Sequence, residues 1–137
     1  MNMFMKLSIG IIFSFFILIN YSFSEENYSL NEEIIDETSI LYGTPKGFSN
    51  PACVNIEKLL ESTDEYQKIK KENIKLGTGE YWLLLNRASE KVNTMISNFI
   101  EENDYDIIFK KEYATKLNLE NVEIKDITNE ILENEEE

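Results

Sequence analysis

From residue 80 onward the apolar positions fall into one stripe. Tyr81, Leu85, Ala88, Val92, Met95 and Phe99 are spaced 4, 3, 4, 3, 4, the seam of a helix that packs on a neighbour. Leu84, Ile96 and Ile100 widen the stripe, and Arg87, Glu90, Lys91 and Asn93 lie off it. A helix is therefore predicted from Glu80 to Glu102. Upstream, Ile56, Leu59 and Leu60 stand at i, i+3 and i+4 and open a second helix. Ser62 with Glu65 three residues later matches a capping box, so this helix is predicted to break and restart near Ser62. Tyr66 and Ile69 continue its apolar side to about Lys75. Leu76-Gly77-Thr78-Gly79 allows the chain to reverse, with Thr78 able to cap the helix that starts at Glu80. The two helices read as an antiparallel hairpin over about residues 56–102.

The period changes on either side of the hairpin. Ala52-Cys53-Val54-Asn55 is short and apolar, and Tyr105-Asp106-Ile107-Ile108-Phe109 is β-branched and aromatic; both read as strands. Lys110 to Asn121 reads as a loop, and Val122-Glu123-Ile124 alternates like a short strand. Asp126-Ile127-Thr128 opens a last helix that buries Ile127, Ile131 and Leu132. The expected fold is α+β: a small β-sheet body with an antiparallel helical hairpin and a short C-terminal helix, one domain over residues 51–133. Residues 134–137 form an acidic tail.

The segment before residue 51 is organised differently. Lys6 and the run from Ile9 to Ile19, broken only by Gly10 and Ser14, have the shape of a signal peptide over residues 1–24. Ser22 and Ser24 supply small residues before a cleavage point at Glu25. The alternative is an uncleaved anchor, but about 20 apolar residues are needed to span a bilayer, and Asn20 and Tyr21 close this run early. Residues 25–50 read as a flexible acidic arm. Six acids and no base precede Leu41, and Gly43, Pro45, Gly47 and Pro51 punctuate turns. The other possibility for this arm is that it docks Ile34, Ile35, Ile40 and Leu41 on a partner.

Composition narrows the chemistry. The chain has 137 residues, 26 acidic and 13 basic side chains, no His and one Cys. Without His, Ser-His-Asp and Cys-His catalysis and imidazole zinc sites are excluded. A net charge of −13 argues against a nucleic-acid partner. One Cys leaves no internal disulfide, and Cys53 reads as a small core hydrophobe. The carboxylates fall in the arm, on helix surfaces and in the tail rather than as a catalytic pair. Glu101 to Asp106 approaches a calcium loop but lacks the turn Gly. No enzyme activity and no cofactor is expected. Two features remain. Tyr81-Trp82-Leu83-Leu84-Leu85 is more apolar than one helix face can bury, so Trp82 and Leu83 point away from the seam, free for a partner or covered by the first helix or a second subunit. Lys68, Lys70, Lys71 and Lys75 form the one basic stretch. They pair along the helix with Glu65 and Glu72, or attach to acidic client segments or to lipid head groups at a membrane surface.

Three segments together resemble the Skp/OmpH-like periplasmic chaperones. Ala52-Cys53-Val54-Asn55-Ile56-Glu57-Lys58-Leu59-Leu60 is similar to the family's opening strand and helix. Glu102-Asn103-Asp104-Tyr105-Asp106-Ile107-Ile108-Phe109 is similar to its helix end and following strand, and Asp126-Ile127-Thr128-Asn129-Glu130-Ile131-Leu132 to its closing helix. The resemblance implies a periplasmic homotrimer whose strands form a shared body, with Val54, Ile107 and Phe109 buried by association. It also implies helical hairpins that hold unfolded outer-membrane or envelope proteins without catalysis, here through Tyr81, Trp82 and Leu83. The hairpin is far shorter than the family's tentacles and the chain is acidic where the family is rich in Lys and Arg. The alternative expectation is therefore an envelope structural or adaptor protein whose hairpin packs on one specific partner.

Overall fold

The computed structural model describes residues 26–135, so the leader expected over residues 1–24 lies outside them. Among the described residues six strands are present: β1 (Tyr28–Ser29), β2 (Ile40–Gly43), β3 (Lys46–Phe48), β4 (Pro51–Val54), β5 (Ile107–Lys110) and β6 (Lys125–Asp126). The five α-helices are α1 (Ile56–Glu61), α2 (Asp64–Lys71), α3 (Gly79–Glu101), α4 (Lys111–Ala114) and α5 (Thr128–Asn134). The fold is α+β, with a long helix and a short C-terminal helix.

The main sheet has the order β2-β5-β4-β6. β4 and β5 run parallel, and such a pair needs a long crossover; α1, α2 and α3 supply it. Both strands are continuous apolar runs because the sheet is covered on both faces. Ala52, Val54 and Ile108 face the helices and pack with Leu59, Val92, Met95, Ile96, Phe99, Ile100, Ile127 and Ile131. Cys53, Ile107 and Phe109 face the other way, against Leu30, Phe48 and Ala114.

That second face corrects the flexible-arm expectation for the described residues 26–50. β2 pairs antiparallel with β5, and β1 with β3. Leu30 and Phe48 are buried, and Ile35 and Ile40 pack beside them. The Tyr113 hydroxyl donates to the Ile34 carbonyl at 2.6 Å, and Leu30 N–H donates to the Pro45 carbonyl at 2.8 Å. The charges sit outside while single apolar residues turn inward, so like charge does not keep this segment off the body.

Smaller differences have local causes. Thr63, not Ser62, caps α2, accepting from Tyr66 N–H, while Ser62 closes α1. The last strand falls at Lys125–Asp126 rather than at residues 122–124, because it pairs in parallel with Ala52 and Cys53 of β4. The Asp126-Ile127-Thr128 segment then ties the sheet to two helices. Asn55 N–H donates to Thr128 Oγ1 at 2.9 Å, and the Thr128 hydroxyl donates to Asp126 Oδ1 at 2.6 Å. Lys111 holds the other carboxylate oxygen at 2.8 Å. Burial alone would raise the Asp126 carboxyl, but the hydrogen bonds from Lys111 and Thr128 outweigh it and keep the group below the usual carboxylate range.

Candidate binding surface

α3 has 23 residues, roughly 35 Å at 1.5 Å per residue. Its C-terminal half, from Val92 to Ile100, packs on the sheet. Its N-terminal half lies against α2 instead, where Leu84, Ala88 and Ile69 are buried outside the sheet cluster. Ion pairs fasten the two helices: Lys91 to Glu65 at 2.8 Å and Lys68 to Glu80 at 3.5 Å. The outer end of the hairpin thus stands clear of the sheet.

Large apolar side chains are exposed at that end. Leu76 in the turn is 73% exposed, Trp82 49% and Leu83 51%. Tyr81 is half-buried, with its ring edge-on to Trp82 at 5.3 Å. Among the described residues the first helix and the rest of the chain leave about half of Trp82 and of Leu83 uncovered. Leu76 joins them although its sequence neighbours mark only a reversal. The available signal was an apolar residue directly before the Gly77-Thr78-Gly79 reversal; Gly77 takes up a φ of +88° there.

The other expected group is not at a surface. Val54, Ile107 and Phe109 are 0% exposed within the single chain. The expectation that association buries them is corrected: β2 beside β5 in the sheet, Phe48 and Ala114 on one face and the helices on the other already do so.

A groove of about 770 Å³ runs between the start of α2, the middle of α3 and α5, lined by Glu65, Arg87, Lys91 and Met95 among others. Glu65 accepts from Lys91 through Oε1, which holds its carboxyl below the usual range, while Oε2 is buried without a partner. Cys53 is buried, and burial, with Asp126 nearby, pushes its thiol up to about 11, a protonated and inert state. Among the described residues no group of three His, Cys, Asp or Glu side chains could hold a metal ion, and no helix is long and apolar enough to cross a membrane. No protein-family model, no curated protein and no solved structure matches this chain.

Proposed function

We propose that the protein is a non-catalytic binding protein of the bacterial envelope, exported to the periplasm, that holds one partner at the tip of its helical hairpin. The exposed trio Leu76, Trp82 and Leu83 carries this reading. Three large apolar side chains at the end of a projecting element are a contact surface in search of cover. The reach of the hairpin favours an adaptor. The part of α3 before Val92 extends roughly 20 Å at 1.5 Å per residue, enough to touch one surface and too short to enclose a whole unfolded chain.

The second reading is a holdase of the Skp/OmpH-like kind. Its support is the likeness of residues 52–60, 102–109 and 126–132 to that family, and an exposed apolar tip that suits many weak contacts. The same double variant tests both. Replacing Trp82 and Leu83 by Ser is expected to lower partner affinity at least about tenfold, or 1.4 kcal/mol, with the unfolding midpoint unchanged because both side chains are exposed. An adaptor binds one folded partner at fixed stoichiometry. A holdase suppresses aggregation of several unrelated denatured proteins. Unchanged binding and unchanged protection in the variant would remove the tip from the function.

A further inference from the structure

Resting on the tip as the grip, we propose that the segment it takes from its partner is both apolar and acidic, with apolar side chains over Leu76, Trp82 and Leu83 and carboxylates facing Lys71 and Lys75. The charge distribution carries this. The chain has twice as many acids as bases, 26 against 13, yet Lys68, Lys70, Lys71 and Lys75 all fall within one short stretch leading into the tip. Two of the four are engaged: Lys68 with Glu72 and Glu80, and Lys70 with Glu61. Lys71 and Lys75 make no ion pair among the described residues, and both are exposed. In the body Lys46, Lys111 and Lys125 are paired, with Glu32, Asp126 and Glu130, while Lys58, Lys110 and Lys116 make no ion pair among the described residues; what distinguishes Lys71 and Lys75 is their place beside the exposed apolar tip.

Hydrogen bonds of the turn tie the segment that carries Lys75 to the start of α3. The Lys75 carbonyl accepts from Thr78 N–H at 3.3 Å and from the Thr78 hydroxyl at 2.8 Å. The Thr78 carbonyl in turn accepts from Trp82 N–H at 3.2 Å. These bonds fix the backbone between Lys75 and Trp82, and the Tyr81 ring lies edge-on to the indole. Such an arrangement complements a partner with alternating apolar and acidic side chains. A short segment meets only the local field of the tip. A broad anionic bilayer would also meet the rest of a molecule whose net charge is −13, which opposes its approach.

Trp82 is the single tryptophan, so its emission reports on the tip alone. The purified protein is titrated with short Trp-free peptides of alternating Leu and Glu, Leu and Gln, or Leu and Lys. The Leu/Glu peptide is expected to shift the emission to the blue and to bind about tenfold tighter than Leu/Gln, from two partly exposed ion pairs. That margin should shrink with added salt. Lys71→Gln with Lys75→Gln should bring the Leu/Glu peptide down to the Leu/Gln affinity and leave Leu/Gln binding as it was. Equal affinity for Leu/Glu and Leu/Gln in the parent would overturn the acidic preference and leave the grip standing. No emission change with any peptide would overturn both. A shift with phosphatidylglycerol vesicles and none with peptides would overturn the proposal in favour of a lipid surface.

Discussion

Replacing Phe109 by Ala is expected to destabilise the fold by about 3–5 kcal/mol. The ring has no exposed surface and stands edge-on to Phe48, with centroids 6.0 Å apart, and 5.8 Å from the Tyr113 ring. It is therefore the side chain through which β5, β3 and α4 meet. Its removal leaves a cavity that short strands and single-turn helices close poorly, and a domain of this size holds only about 5–15 kcal/mol in total. Urea unfolding followed by circular dichroism reads the loss as a lower midpoint. The midpoints of parent and variant should not depend on protein concentration, because the cover over Phe109 comes from its own chain. A parent midpoint that climbs with concentration would show that a second copy completes this core.

The second large effect is expected at Gly43, at the end of β2 opposite Ile107. Its φ is +83°, and a Cβ there would sit 2.1 Å from the Asp106 carbonyl oxygen and 2.9 Å from Ile107 Cα. Both obstacles are backbone and cannot swing aside. They are also fixed from the far side. The Asp106 carboxylate accepts from Ser49 N–H at 2.6 Å and Asn50 N–H at 3.0 Å, and Asp106 N–H donates to the Asn50 carbonyl at 3.2 Å. Gly43→Ala must therefore push β2 off β5 or deform the β5 entry, for a loss of about 3 kcal/mol or more. Gly47 is the control. It also has a positive φ, +74°, but nothing lies within 4 Å of an added Cβ, so Gly47→Ala should cost only about 1–2 kcal/mol. Equal midpoints for the two variants would contradict the β2–β5 register.

The elements legible in the sequence were those with enough residues to show a period. α3 carries a stripe over six turns, and its packed side is Leu84, Ala88, Val92, Met95, Ile96, Phe99 and Ile100. Tyr81 and Leu85 of the expected seam are half-buried because α2, only eight residues long, covers little of that end. β4 and β5 were legible as apolar runs, since strands covered on both faces show no alternation. The segment from residue 26 to 50 was not. Its inward residues, Leu30, Ile35, Ile40 and Phe48, stand far apart among acids and glycines, and strands of two to four residues are too short to display a period of two. Its place on the sheet is decided by long-range pairing with β5, which local pattern does not encode. For the candidate surface, Trp82 and Leu83 were legible because consecutive helical residues differ by about 100° in direction and five in a row cannot share one face. Leu76 was hidden by its glycine neighbours. Val54, Ile107 and Phe109 were correctly apolar, but the sequence does not say whether the same chain or another covers them.

The proposed role requires the hairpin tip to be open in the isolated protein. The most direct measurement is the emission and acrylamide quenching of the single tryptophan, Trp82, over a tenfold range of protein concentration. An open tip gives red-shifted emission that acrylamide quenches readily, with no dependence on concentration. A blue, protected emission, or protection that grows as the protein is concentrated, would mean that the chain already covers its own tip or that another copy does, and the tip would not be the site that awaits a partner.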